Sequence, residues 1–423
     1  MNDLHVVSWN ITRRCNLSCA HCYLPAVTAT ERPGPASDTE LAESEAFRLI
    51  DQIAEVNPEV MLIISGGEPL LREDVFALSA YAAGKGMMVV MGSNGLLIDD
   101  RVARRLRENG VSGISISLDS IEPDRHDRIR RSPGAWKKAV AAIERSRDAG
   151  LSVQVNTVVT RGNHDELAAL IDYSRNLGAR VFSPFFLVCT GRGERLTDLS
   201  PSQYEEILSS IVDLQARSGG IMVRTRCAPT VRRILHRKNP GSPLLKLDAG
   251  RCLAGLSYCR ISPEGDVTPC PYMPVSAGNV RGQAFGDVWR HSELLKSLRT
   301  PALKGKCSTC DYRLLCGGCR ARAYAARKDY LEEDPWCHYV PDGGKMKIPP
   351  SFEGDKSEPA PGAVKPIWTK EAEERLKRVP FFVRSMVRRA VERHAEEHGI
   401  REITPAMMEE VKQKGMGGGF GGH

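Results

Sequence analysis

The chain has 423 residues, 41% of them hydrophobic and 26% charged, so it is long enough for two or three domains with a sizeable core. Its N-terminus runs into a candidate strand with no basic and apolar leader, and no apolar stretch approaches the length needed to cross a bilayer, which argues against a secreted or membrane-spanning protein and for the cytoplasm. The 59 Lys and Arg are interspersed with 52 Asp and Glu, a net charge of +7 that suits a carboxylate-bearing substrate or an acidic electron donor and does not call for nucleic acid.

Short β-rich runs at 4–11, 59–64, 87–92, 112–118, 152–159 and 180–187 alternate with helix-length segments at 38–56, 72–84, 99–109, 134–149 and 163–177, with a further helix near 201–216. Ser37 and Glu40 have the spacing of a capping box for the first helix. Six such repeats predict an α/β fold, a partial (β/α)6 barrel, with its site where the strands end.

The first strand leads into Cys15, Cys19 and Cys22, a CxxxCxxC triplet. Three thiolates can hold three corners of a 4Fe-4S cluster and leave the fourth iron open. Tetrahedral zinc would ask for a fourth ligand, and only His21 lies close by. The other strand ends are polar. Ser65-Gly66-Gly67-Glu68-Pro69 joins two glycines that admit close backbone approach to a carboxylate; Gly92-Ser93-Asn94-Gly95, Ser117-Leu118-Asp119-Ser120 and Asn156-Thr157 follow on the same rim.

The cysteine triplet, with Arg13-Arg14 before it and Tyr23 after it, resembles the signature of the radical S-adenosylmethionine superfamily. That resemblance implies that the amine and carboxylate of S-adenosylmethionine complete the fourth iron, and that an electron from the cluster yields methionine and a 5′-deoxyadenosyl radical that abstracts hydrogen from substrate. It further implies cofactor contacts at His21, Tyr23, Gly66, Gly67, Glu68, Ser93, Asn94, Ser117, Asp119 and Asn156. The family usually carries S-x-D-G where this chain has Ser117-Leu118-Asp119-Ser120, and His126 falls in a segment that family members place near substrate, or in a solvated turn.

Thirteen cysteines at ligand-like spacings in a long chain read as metal ligands rather than disulfides. After a basic stretch with Arg224, Arg226, Arg232, Arg233 and Arg237, which could be a solvated face or a carboxylate clamp, come Cys252, Cys259, Cys270, Cys307, Cys310, Cys316, Cys319 and Cys337. Eight cysteines make two sets of four. Their layout resembles the SPASM extension, apart from a CxxC at Cys316 and Cys319 where that pattern has CxxxC. The resemblance implies one auxiliary 4Fe-4S cluster on Cys252, Cys259, Cys270 and Cys319 and another on Cys307, Cys310, Cys316 and Cys337, as electron relays. Cys189 and Cys227 are left without a role.

Residues 341–366 read as a Pro- and Gly-rich linker, 367–414 as a small helical domain with a helix near 381–398 and another opened by Thr404-Pro405, and 415–423 as a disordered tail, so that the domains are 1–216 and 217–340, then the linker and the tail. The tail resembles the small C-terminal domain of light-independent protochlorophyllide reductase. The stretches around Cys252–Ile261, Thr268–Pro274 and Gly318–Tyr324 resemble the radical enzymes of alternative haem and nitrite-reductase-haem biosynthesis, which implies removal or oxidation of propionate or acetate side chains on a tetrapyrrole, with ferredoxin or flavodoxin as electron donor. Two alternatives stand beside it: a SPASM-type maturase of a peptide or protein, and a non-enzymatic iron-sulfur or zinc protein.

Overall fold

In the computed structural model, every residue is described except 1–3, 25, 29–33, 196–198, 218, 247–251, 348–365, 379–386, 389–390, 393, 397 and 416–423. Most of the 341–366 segment, Phe381, Phe382 and Met386 of the expected tail helix, and nearly all of 415–423 lie outside the described residues. Residues 1–349 form one compact unit and 350–423 another. No helix among the described residues is long and apolar enough to cross a membrane.

The larger unit is built on a ten-stranded sheet. Strands β1 (Val6–Asn10), β2 (Met61–Ser65), β3 (Met88–Ser93), β4 (Val111–Ser117), β5 (Ser152–Val159), β6 (Val181–Phe186) and β7 (Met222–Val223) lie side by side in chain order, all parallel. Parallel neighbours need crossover connections, supplied here by helices that include α1 (Glu43–Val56), α2 (Val75–Gly84), α3 (Asp100–Glu108), α4 (Pro123–Arg130), α5 (Ala135–Asp148), α6 (Leu167–Asn176) and α7 (Pro201–Arg217). On the other side of β1, β8 (Tyr258–Ile261) adds in parallel, followed by antiparallel β9 (Asp266–Thr268) and β10 (Gly278–Asn279). The cysteine-rich segment is thus continuous with the barrel sheet.

Period-two alternation decides what each strand gives to which side. Val7, Trp9 and Ile11, Leu62 and Ile64, Val89 and Met91, Ile114 and Ile116, Val153 and Val155, and Cys259 and Ile261 pack into one core against the helices. The alternate positions are largely polar and face the concave side: Ser8 and Asn10, Ser115 and Ser117, Gln154 and Asn156, and Arg260.

Helix α1 begins at Glu43, five residues later than the sequence pattern suggests. Glu40 keeps Ser37 N–H at 3.2 Å, but its other oxygen accepts from Thr12 Oγ1 at 3.0 Å and from Arg13 N at 2.6 Å, so it is anchored to the loop after β1 rather than to a helix start. The helix end is instead closed by Glu45, which accepts from Ala42 N at 2.8 Å.

In the smaller unit, β11 (Ile367–Trp368) and β12 (Glu402–Ile403) pair in parallel over a core of Ala372, Leu376, Val391, Ala395, Ile403, Met407 and Met408. Thr404 caps the helix Pro405–Gly415 through Met407 N.

Gly66 and Gly67 are fixed by close approach. A Cβ on Gly67 would lie 2.1 Å from the Arg14 carbonyl oxygen, and one on Gly66, whose φ is +155°, 2.6 Å from that of Thr12. Gly67→Ala is expected to displace the 12–14 loop and remove roughly four irons per chain from the reconstituted protein. Gly84→Ala, at a helical position with nothing within 4 Å, should leave iron unchanged and raise stability by about 0.5–1 kcal/mol. Iron analysis with thermal melts checks both.

Candidate iron-sulfur and cofactor site

The loop carrying Cys15, Cys19 and Cys22 is stitched to the strand ends on three sides. Gly67 N donates to Thr12 O and Glu68 N to Arg14 O, each at 2.8 Å; Ala20 N donates to Ile129 O of α4 at 3.1 Å; Arg192 gives its backbone N–H to Cys22 O and its Nε to Cys19 O, both at 3.0 Å. Gly191, at φ +60°, closes against the carbonyls of Cys22 and Tyr23, where a Cβ would come within 2.7 Å. Leu17, Ala26 and Leu96 pack around the three sulfurs as an apolar shell.

Burial pushes the Cys15 thiol up to about 12, and the Glu68 carboxylate and the other two cysteines push the same way; burial also raises Cys22. Such thiols ionise only when a metal takes the proton's place. Donors wait for that charge: Leu17 N lies 3.4 Å and Asn94 Nδ2 4.0 Å from Cys15 Sγ, and Arg130 Nη1 3.8 Å from Cys19 Sγ. Among the described residues no three His, Cys, Asp or Glu side chains converge as a single bound ion requires. Three thiolates in a dry shell lined with N–H donors suit the corners of a cluster.

Glu68 is fully buried and accepts from Ser93 Oγ at 3.0 Å, Asn94 N at 2.9 Å and Leu70 N at 3.3 Å. Burial lifts its pKa to about 7 against these hydrogen bonds. The expected residues Gly66, Gly67, Glu68, Ser93 and Asn94 therefore form one wall beside Cys15, with Asn94 Nδ2 also on Asn16 Oδ1 at 2.7 Å.

A second wall is charged. Asp119 is buried, and although burial favours its neutral form, Arg130, His21 and His126 together hold its pKa down. Arg130 Nη2 stands 2.7 Å and His21 Nε2 3.9 Å from Asp119 Oδ2, while His126 Nδ1 accepts from Asp119 N at 3.1 Å. Burial lowers His21 to about 4, outweighing Asp119, so its imidazole is neutral, and its Nδ1 is buried with no partner among the described residues. His126 is a buried member of α4, not part of a solvated turn. Ser117 and Asn156 are register partners on β4 and β5, with Gln154 Nε2 on Asn156 Oδ1 at 2.7 Å. Tyr23 turns into the concave side, its hydroxyl accepting from Asn10 Nδ2 at 3.0 Å and its ring 5.1 Å from that of Tyr272.

The structure brings most of the later cysteines into two neighbourhoods. Cys307, Cys310, Cys316 and Cys337 lie within electrostatic reach of one another. Cys227, Cys270 and Cys319 pack in one cluster of side chains, and Cys252 adds to the charge that each of them feels, with burial raising all three. Cys259 alternates out of the concave side into the helix-facing core, and its charged neighbour is Arg299. Cys227 belongs to no spacing motif, and its backbone is in the left-handed region at φ +57°.

Between the two sets sits a buried ion pair. Asp334 accepts from Cys319 N at 2.8 Å and from Arg322 Nη1 at 3.0 Å; Arg322 donates to Cys227 O at 2.7 Å and lies over Tyr204 and Trp336. Two arginines of the basic stretch before it are engaged elsewhere: Arg232 donates to Leu245 O and Arg233 to Glu205, and both are buried, so neither forms a solvated face.

Three family models match the chain: the radical SAM superfamily over 9–173, the SPASM iron-sulfur cluster-binding domain over 252–311, and the proto-chlorophyllide reductase 57 kD subunit over 368–412. The AdoMet-dependent heme synthase of Methanosarcina barkeri is 40% identical over 349 residues, spanning 80% of this chain and 98% of that protein. That of Nitratidesulfovibrio vulgaris is 38% identical over 79% of this chain and 92% of that one. The S-adenosylmethionine-bound crystal structure of Streptococcus suis SuiB shares the fold at a TM-score of 0.63, with 17% identity, over 80% of this chain and 78% of that one.

Cys227→Ser should cost roughly four irons per reconstituted chain, as loss of one cluster does, while Cys259→Ser should keep the full complement. Iron and sulfide analysis together with EPR of the reduced protein reads the difference.

Proposed function

The chain belongs to the radical SAM superfamily, in the SPASM-bearing group of the AdoMet-dependent heme synthases, and from that premise we propose that it oxidises carboxylate side chains of an iron tetrapyrrole in haem formation. The observation that carries the reading is 40% identity across 98% of a heme synthase, joined to a cysteine trio held in an apolar shell. The bound cluster and S-adenosylmethionine supply abstraction of a hydrogen atom from the substrate. In net terms a propionate becomes a vinyl group by losing one hydrogen atom, carbon dioxide and one electron, and a cluster held by Cys227, Cys252, Cys270 and Cys319 would supply an acceptor for that electron.

The chain's own residues bind, orient and exclude water. Cys15, Cys19 and Cys22 hold the radical-generating cluster, and Leu17, Ala26 and Leu96 keep solvent from it. Asn94 and Arg130 aim N–H groups at two of the ligand sulfurs, which favours the reduced, more negative cluster. The wall of Gly66, Gly67, Glu68 and Ser93 receives the methionine end of the cofactor, with Glu68 as counter-charge for the amine. The wall of Ser117, Asp119, Asn156 and neutral His21 receives the nucleoside, where the unpaired His21 Nδ1 is a ready hydrogen-bonding group. An acidic low-potential protein such as ferredoxin or flavodoxin in the cytoplasm feeds the clusters.

Anaerobic incubation of the reconstituted protein with dithionite, S-adenosylmethionine and an iron coproporphyrin should release 5′-deoxyadenosine and a porphyrin lighter by one formic acid for each side chain processed. Mass spectrometry reads both products. Cys15→Ala should abolish both. A modified peptide from a parallel panel, with the porphyrin untouched, would overturn the proposal in favour of a maturase.

A further inference from the structure

The concave side of the barrel carries two guanidinium groups that the cofactor site does not use. Arg260 is 8% exposed and lies on β8 in register with Ser8 of β1, alternating with Cys259 and Ile261, which point into the helix-facing core. Its Nε donates to Asn10 Oδ1 at 2.5 Å, and Asn10 in turn holds the Tyr23 hydroxyl. Arg226 follows β7, forms a bridge with Phe185 of β6, and takes its backbone N–H to Pro184 O at 2.9 Å. Its side chain is half-buried, and Tyr258 of β8 is an electrostatic neighbour of both arginines, which therefore border the same part of the concave side.

Neither has an acidic partner within ion-pair distance among the described residues, and Arg226 has no side-chain hydrogen bond among them. The nearest acid to Arg260, Glu264, is taken by Arg13. Arg232 and Arg233, by contrast, are satisfied by the protein. Two guanidinium groups drawn out of bulk water without counter-charge are costly unless a ligand supplies it.

Their place in the chain says which ligand. Arg226 immediately precedes Cys227, and Tyr23, which immediately follows Cys22 of the amino-terminal triplet, has its ring 5.1 Å from that of Tyr272. A flat apolar molecule with carboxylates on its rim would rest on the tyrosines and place those carboxylates on the arginines. We infer that Arg226 and Arg260 form a carboxylate clamp that seats the propionates of the macrocycle between the radical-generating cluster and the Cys227-containing cluster. The clamp rests on the tetrapyrrole reading above. It holds the side chains that are not reacting and so selects which one meets the radical.

The test is anaerobic titration of the fully reconstituted chain with an iron coproporphyrin, followed in the Soret band, for the wild type, Arg226→Gln, Arg226→Lys and Arg260→Gln. Iron content and EPR confirm that each variant carries its clusters. Each Gln variant should bind roughly 10- to 100-fold more weakly, since each loses a charge-assisted pair, and Arg226→Lys should fall between. The same macrocycle with its side chains amidated should bind the wild type about as weakly as the Gln variants bind the acid. Unchanged affinity in both Gln variants, or amide and acid binding the wild type alike, overturns the clamp while the tetrapyrrole reading stands. A wild type that ignores the porphyrin overturns both. Should Arg226→Gln lose a cluster, Arg260→Gln and the amidated macrocycle still decide the question.

Discussion

The whole site depends on a backbone-to-backbone contact that leaves no room for a side chain. Residues 12–14 lie directly on Gly66 and Gly67, joined by the Gly67 N–H to Thr12 O and Glu68 N–H to Arg14 O bonds. Through this contact the end of β2 fixes the direction in which the cysteine loop leaves β1, and Glu40 secures the same loop from the other side through Thr12 and Arg13. Everything that must meet at the cluster inherits its position from there: Glu68 leads to Ser93 and Asn94, and Asn94 reaches back to Cys15. A loop whose first and last ligands span eight residues would otherwise lose considerable conformational entropy on ordering.

Strand alternation sorts the remaining chemistry. One face of each strand is spent on the apolar layer under the helices, and the other presents Ser, Asn, Gln and Arg to the concave side. The rule is strict because a shift of one residue would exchange the two sets. It explains why Cys259, close in sequence to two ligands, is no companion to them: it shares its face with Ile261, while Tyr258 and Arg260 take the inner one. Cys227 arrives from the far edge of the sheet and packs with Cys270 and Cys319 instead.

Much of this was legible in the sequence, for identifiable reasons. The six strands are apolar runs bounded by turns, and their polar ends are adjacent to them in the chain, so strand, rim and candidate residue come together in one local pattern. The triplet is legible because its three ligands span eight residues. What escaped is non-local. Cys227 has no neighbouring cysteine in the chain, and only tertiary packing brings it beside Cys270 and Cys319. Glu40 looked like a helix cap because Ser37 precedes it, but a carboxylate that can reach two donors on another segment is better satisfied there. Arg232 and Arg233 read as a charged face, yet each has a partner that only tertiary contact supplies.

The Arg322–Asp334 pair shows how the two auxiliary sets can differ although both are four thiolates. Cys316 and Cys319 belong to different sets and are separated by only Gly317 and Gly318, both at φ +67°, so the two sets are neighbours. Arg322 presents its charge to Cys319 and Cys227, whereas Asp334 adds negative charge felt by Cys316 and Cys337. A cation stabilises the reduced form of a nearby cluster and an anion opposes it. Asp334 also bears on Cys319, to whose N–H it is bonded, so Arg322 tips the balance only for the set that includes Cys227. Clusters held by the two sets would therefore differ in potential, the one facing Arg322 being the easier to reduce.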